Sequence, residues 1–187
     1  MRKAWLWLLL PAALLLLVLL HVYSLARLAP SETGRQVPVL MYHAVGDNCW
    51  GEAHLFVKPA ALERQLQYLQ DNGYETIFLE DLAHVERYKK PIILTFDDGY
   101  DDNYTQLFPL LRKYNMKATI FMIAGDIGKP HKLTQPQLRE LAQSGLVSIQ
   151  SHGWSHRSMA DMGWTELISE LLRSKLALTF ACGRVPT

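Results

Sequence analysis

The sequence predicts an α/β domain of parallel strands with helices packed outside them, carried behind an N-terminal membrane helix. Three observations predict it. From residue 37 onward, short apolar stretches of strand length alternate with stretches whose apolar residues recur at helical spacing, the signature of strand-helix-strand units in an open sheet or a barrel. Residues 4–20 form an uncharged apolar run behind Arg2 and Lys3. Acids and histidines fall directly after strand-like stretches, in Asp97-Asp98-Gly99 and in His152-Gly153-Trp154-Ser155-His156. The C-terminal ends of parallel strands are where such folds collect their chemistry.

The N-terminal run decides how the chain meets a membrane. A signal peptide has an apolar core of roughly 7–15 residues, whereas a spanning helix needs about 20. Extended through His21, Val22 and Tyr23 to Ala26, the run is long enough to span, and no polar face interrupts it. Arg2 and Lys3 on the short side place the N-terminus in the cytoplasm and the rest of the chain outside. Residues 1–27 therefore read as a signal-anchor, and Ser24-Leu25-Ala26 leaves cleavage and secretion as the alternative. Residues 28–36, with Pro30, Ser31, Glu32, Thr33 and Gly34, have linker composition,. The domain is expected over residues 37–187.

Within it, residues 37–42 read as a buried strand. Residues 58–72 read as a helix, with Leu62, Leu66 and Leu69 on one face, Pro59 in the first turn and Gly73 beyond the end,. A strand is expected over 75–79, a short helix over 81–88 and a strongly apolar strand over 91–96. A helix over 104–114, a strand over 118–123, a helix over 135–144, a strand over 147–150 and a last helix over 165–178 complete the series. Asp101 and Asp102 precede the 104–114 helix, and the expectation for both is that they cap it.

Composition narrows the function classes. With 187 residues, 49% hydrophobic and 20% charged, the chain suits one sizeable core. A net charge of +1 offers no clustered basic surface, so no nucleic-acid partner is expected. Cys49 and Cys182 lack the close spacing of a zinc or redox motif; two unpaired thiols are favoured over a disulfide.

The paired acids follow the apolar stretch Ile92-Ile93-Leu94-Thr95-Phe96. Neighbouring residues at a strand end point in different directions, so one carboxylate can ligate a metal while the other addresses a water. A cap would need only one acid. Two histidines four apart can face one ion if the backbone between them is helical. Gly153 stands where a His-Glu-x-x-His protease needs its glutamate, which excludes that class. Aspartyl phosphotransfer, which uses an Asp-x-Asp spacing, would leave the histidines unexplained. One carboxylate and two imidazoles make a metal site with positions open for water and substrate; zinc suits it best, with cobalt, nickel, iron or manganese as alternatives.

Thr95-Phe96-Asp97-Asp98-Gly99-Tyr100 and His152-x-x-x-His156 resemble the first two motifs of the polysaccharide deacetylases, carbohydrate esterase family four, the NodB-like homology domain. The stretch from Val37 to His43, followed by Phe56, Leu62, Gln65, Leu66, Leu69 and Gly73-Tyr74, is similar to the segment preceding those motifs in bacterial extracytoplasmic members. The resemblance implies an incomplete, distorted (β/α)7-type barrel and hydrolysis of N-acetyl groups on a cell-wall or exopolysaccharide N-acetylglucosamine polymer. It makes Asp97 the general base acting on a metal-activated water, and Asp98, His152 and His156 the metal ligands. Together with the N-terminal run, the expected location is the cell membrane with this domain outside. His43 resembles a family position near the site, and Tyr100 and Trp154 are candidates to line it. Two departures stand out. Gly153 replaces the usual Ser or Thr, so a supporting hydrogen bond in that loop is expected to be missing. The later Arg/Pro/Tyr motif, the aromatic pocket wall and the histidine acid cannot be placed, so the chain reads as an N-terminal part, and a catalytically inactive metal- or glycan-binding remnant is the alternative.

Overall fold

The computed structural model describes residues 34–186. The anchor expected over 1–27, and the linker up to residue 33, lie outside the described residues. Among those described, no helix is long and apolar enough to cross a membrane.

The chain first lays down β1 (Val39–Tyr42) and the short pair β2 (Ala44–Val45) and β3 (Phe56–Val57). Helix α1 (Pro59–Asp71) starts with its proline in the first turn and turns Leu62, Leu66 and Leu69 inward, as the 3.6-residue period requires. The strand expected over 75–79 is shorter: β4 is Glu75–Thr76, and the chain then winds as 3-10 turns over Leu79–Arg87, with a kink at His84. Phe78 opens that segment by donating its N–H to Asp81 Oδ2 at 3.0 Å.

Strand β5 (Pro91–Asp98) is the centre of the sheet. Six residues in succession, Pro91 to Phe96, are buried, because a central parallel strand is covered on both faces and cannot alternate apolar with polar. Pro91 takes the strand's first position, where its missing N–H does least harm. After it come a π-helical turn (Asn103–Leu107) and α2 (Phe108–Tyr114), where the sequence predicts one continuous helix. Pro109 accounts for the difference: it has no N–H to give the carbonyl four residues back, and its ring crowds that carbonyl, which widens the turn before it. The remaining elements are β6 (Ala118–Met122), α3 (Gln135–Gln143), β7 (Val147–Ser151) and α4 (Trp164–Cys182). Helix α3 is opened by Thr134, whose N–H donates to Gln137 Oε1 at 2.8 Å, a reciprocal cap. Helix α4 runs past the expected residue 178 because Ala181 and Cys182 are also buried.

Among the described residues all strand pairings are parallel, and one isolated bridge, Tyr100 with Lys132, is antiparallel. The sheet runs β1-β5-β6-β7, with β4 against the first two residues of β5. Strands β1 and β7 do not pair with each other, so among the described residues the sheet is open and the expected barrel is not closed. Helices α3 and α4 pack on each other and on β7, and α1 meets α2. One continuous core gathers Leu62, Leu94, Phe96, Leu111, Ile120 and Leu138, among others. Cys49 is exposed, Cys182 is buried, and both are free.

Candidate metal centre

The register sets the site. Asp98 on β5 pairs with Met122 on β6, which pairs with Ser151 on β7, so the ends of three strands lie in one row. His152 continues the ladder, its N–H donating to the Met122 carbonyl at 2.9 Å. The acids and the histidines therefore come from strands separated by one neighbour, and the side chains of Asp98, His152 and His156 meet at that end of the sheet. Asp98 is buried, and its Oδ1 lies 3.6 Å from His152 Nε2 and 3.4 Å from His156 Nε2. The two imidazoles tilt toward each other with centroids 4.9 Å apart.

Whether these three residues suit an ion is tested by Asp98 Oδ1 itself. It is buried without a hydrogen-bond partner, a costly condition for a carboxylate oxygen unless a cation takes the vacant direction. The candidate ligand atoms of Asp98, His152 and His156 all lie within 4.8 Å of one another. One oxygen and two imidazole nitrogens form a borderline donor set suited to zinc and its neighbours. Burial holds the His152 imidazole below its usual pKa, against the pull of Asp97 and Asp98, and the neutral ring is the form that ligates. The set fits a divalent ion.

The local backbone departs from the sequence expectation. The stretch between the histidines is a loop and not a helical turn, with Gly153 at φ 78° and His156 at φ 59°. The left-handed turns bring the rings together where a helix was expected to. Asp98 too is left-handed, at φ 70°, followed by Gly99 at φ 69°; two such residues in succession end β5 abruptly and turn Asp98 toward β7. The hydrogen bond thought missing because of Gly153 has a substitute. Glu170 on α4 accepts the N–H groups of Trp154 and Ser155 at 2.8 and 2.6 Å and the Ser155 hydroxyl at 3.0 Å. Burial would raise the Glu170 carboxyl, but these donors outweigh it and hold it below the usual carboxylate range.

Asp97 stands beside the cluster, half-buried. Burial raises its carboxyl above the ordinary value, and His152, then His43, pull it back, with Asp98 adding to the rise and His156 opposing it. The result is a stronger base than a solvated aspartate. His43 is thus near enough to act on Asp97, while its carbonyl accepts from Asn103 Nδ2 at 2.9 Å. Burial, followed by the charge of the nearby Asp98, raises the Tyr100 phenol well above the usual value. The ring of Tyr100 is met edge-on by Trp50 at 4.9 Å and capped by Lys132 Nζ at 3.8 Å, and Lys132 also donates to the Asp98 carbonyl at 3.2 Å. The Trp154 ring lies under the Arg173 guanidinium at 4.2 Å. Tyr100 is thus packed between Trp50 and Lys132, and Trp154 against Arg173 of α4. Arg184 of the terminal Arg-x-Pro donates to the carbonyl of Val147 at 3.3 Å, at the far end of β7 from the cluster.

Asp102 is not a cap. It stands immediately before the π-helical turn, at its N-cap position, but makes no capping bond; it is buried, accepts from Asn103 Nδ2 at 2.9 Å through Oδ1, faces the Val45 backbone, and leaves Oδ2 unpartnered. Burial pushes its carboxyl up to about 6. Because the unfolded group titrates near 3.9, the folded chain holds a proton between about pH 4 and 6 that the unfolded chain has lost. Stability present below about pH 4 is therefore lost as pH rises through about 6, by roughly 3 kcal/mol. Asp102→Asn keeps the accepting oxygen and removes this titration. Urea midpoints at pH 4 and pH 7 should show the variant gaining on the parent as pH rises; equal gaps at both pH values would refute it.

Comparison with known proteins agrees with this geometry. The profile of the family described as polysaccharide deacetylase matches residues 84–187, which include Asp97, Asp98, His152 and His156. A Bacillus subtilis (strain 168) protein assigned to the polysaccharide deacetylases, YxkH, is 39% identical over 150 residues, covering 78% of this chain and 52% of that protein. A poly-beta-1,6-N-acetyl-D-glucosamine N-deacetylase of Escherichia coli (strain K12) is 29% identical over 136 residues, covering 62% of this chain and 20% of the relative. The crystal structure of a Bacillus cereus polysaccharide deacetylase superposes with a TM-score of 0.74 at 34% identity, over 81% of this chain and 49% of that one. The Streptococcus pyogenes deacetylase PplD, solved in complex with acetate, also gives 0.74, at 30% identity over 82% of this chain and 72% of its own. The chain thus spans about half the length of the Bacillus subtilis relative. Matched by the family profile over more than half its residues, and folded like solved deacetylases, the chain belongs to the polysaccharide deacetylase family.

Proposed function

We propose that the chain carries the water-activating half of an N-deacetylase acting on an N-acetylglucosamine-containing polysaccharide of the cell wall or an exopolysaccharide. The observation that carries this reading is Asp98 Oδ1, buried without a partner between two imidazole nitrogens, with Asp97 beside it on the same strand. The Escherichia coli relative, whose name states a poly-beta-1,6-N-acetyl-D-glucosamine substrate, supports the polymer class.

Asp98, His152 and His156 would hold a divalent transition ion, zinc first, and a bound ion would supply a Lewis acid that polarises the acetamide carbonyl and acidifies water. Asp97 takes the proton from the attacking water as its oxygen bonds to the carbonyl carbon. The C–N bond then breaks as the nitrogen takes up the proton held by Asp97, and acetate and a free amine on the sugar result. Lys132, itself seated on the Tyr100 ring, holds the Asp98 backbone from outside the cluster. Residues 1–27, by their sequence, would anchor the chain in the cytoplasmic membrane with this site outside.

The test measures metal content and acetate release from an N-acetylglucosamine oligomer, using the full chain beside Asp98→Ala and His152→Ala. Stoichiometric metal is expected in the parent and background metal in both variants, with acetate released by the parent alone. Metal without acetate would make the chain a metal- or glycan-binding relative of the enzymes, and absence of metal would overturn the site.

A further inference from the structure

We propose that Glu170 is the positioning residue of the metal centre: its carboxylate on α4 fixes the loop between His152 and His156 so that both imidazoles converge on Asp98 before an ion arrives. The inference rests on the metal-site reading above but concerns a residue outside the ligand set and outside the motifs that mark the family in this sequence.

A single atom, Glu170 Oε1, accepts the N–H groups of Trp154 and Ser155 and the Ser155 hydroxyl. Those are the donors of the two loop residues nearest His156, and Glu170 is itself only 7% exposed. Charge-assisted bonds to a buried carboxylate are among the stronger ones a protein makes. One turn further along α4, Ser174 Oγ lies 2.6 Å from Ser151 Oγ, which in turn accepts the Gly153 N–H at 3.2 Å. Two side chains at i and i+4 of one helix thus grip the loop on both sides of His152. On its other edge the loop's carbonyls are held by backbone: Ala124 N–H donates to Gly153 at 3.0 Å and Gly125 N–H to Trp154 at 2.9 Å.

The loop needs such a clamp because its conformation is not one the chain would keep by itself. His156 lies in the left-handed region, as does Gly153, and a non-glycine residue stays there only when its surroundings hold it. A Cβ on Gly153 would come within 3.1 Å of Glu170 Oε1, so the smallest residue lets the carboxylate come close. Without Glu170, the amides of Trp154 and Ser155 lose their acceptor and the turn that aims His156 loses its anchor. Partners of this kind, which touch no ion but orient the ligands, typically contribute 10–100-fold to metal affinity.

The experiment titrates the full chain with Zn2+ against a competing chelator, and follows amide hydrogen exchange in the metal-free chain. Glu170→Ala is expected to weaken Zn2+ binding about 10–100-fold and to speed exchange at Trp154 and Ser155. Glu170→Gln, which keeps an acceptor oxygen, should recover most of both. Leu178→Ala loosens α4 at a fully buried position without touching the loop, and should leave Zn2+ affinity within about twofold, since independent sites rarely couple. If Glu170→Ala does not fold, Glu170→Asp, which withdraws the carboxylate by one methylene, should show the same losses in smaller degree. Parent-like Zn2+ affinity in the Ala or Asp variant, or an equal loss in Leu178→Ala, overturns the proposal. If the parent itself takes up no Zn2+, the metal-site reading falls, and the exchange rates alone then decide whether Glu170 holds the loop.

Discussion

Asp97→Asn is expected to keep the metal and to lose the reaction, with acetate release from an N-acetylglucosamine oligomer falling by about 10²–10⁴-fold. The change is close to isosteric and removes only the capacity to accept a proton. The three candidate ligands are untouched, so elemental analysis should find the parent's metal content. Two features of the fold make Asp97 the better base of the adjacent pair. Asp98 turns into the cluster, where its Oδ1 faces both histidines. Asp97 remains half-buried beside it, and burial raises its carboxyl, which strengthens it as a base. A loss of this size corresponds to about 3–5 kcal/mol of transition-state stabilisation. Unchanged turnover would remove Asp97 from the mechanism; loss of metal would move it into the ligand set.

How much of this was legible in the sequence follows from the kind of signal each element leaves. Strand β5 was readable because a strand covered on both faces is a run of apolar residues, and α1 because Leu62, Leu66 and Leu69 mark one face only. The last two residues of β5 were not, since Asp97 and Asp98 are polar and read as the start of a loop. The convergence of Asp98, His152 and His156 was correctly expected, but by the wrong backbone. A spacing of four suggests a helix, and left-handed turns at Gly153 and His156 leave no trace in the residue types apart from the glycine. Asp102 reads as a cap in sequence because acids before helices commonly are; only the packing of the Val45 backbone over it reveals a buried carboxyl.

Glu170 was missed for a different reason. Helix α4 is apolar on two faces: Leu178, Ala181 and Cys182 point into the core, while Trp164, Ile168, Leu172, Leu176 and Phe180 are exposed. When both faces carry large apolar residues, periodicity does not tell which one is inward, and Glu170 reads as a solvated charge. The available signal was its i,i+4 spacing to Ser174 and i,i+8 spacing to Leu178, which puts an acid on a row that continues into small and apolar residues. A charge on such a row is either paired or costly, and here it is paired with the loop that carries the histidines.

Gly99→Ala is the substitution expected to disturb the fold most for its size, by about 2–5 kcal/mol. Two terms make up that figure. The backbone at Gly99 has φ 69°, which costs an L-residue roughly 1–2 kcal/mol. A Cβ there would stand 2.0 Å from Met122 Sδ and 3.3 Å from its Cγ and Cε, and overpacking of this sort typically costs about 1–3 kcal/mol. Methionine is a flexible neighbour, but Met122 is fully buried and stands in the row between Asp98 and Ser151, so its displacement disturbs the strand ends that carry the site. Metal affinity should therefore fall together with stability. A double-mutant cycle separates the two terms: with Met122→Ala already in place, Gly99→Ala should cost only the backbone part, about 1–2 kcal/mol. Denaturant unfolding of the four chains measures this, and a cost for Gly99→Ala that is the same with and without Met122 would show that the clash contributes nothing and that the left-handed turn alone requires the glycine.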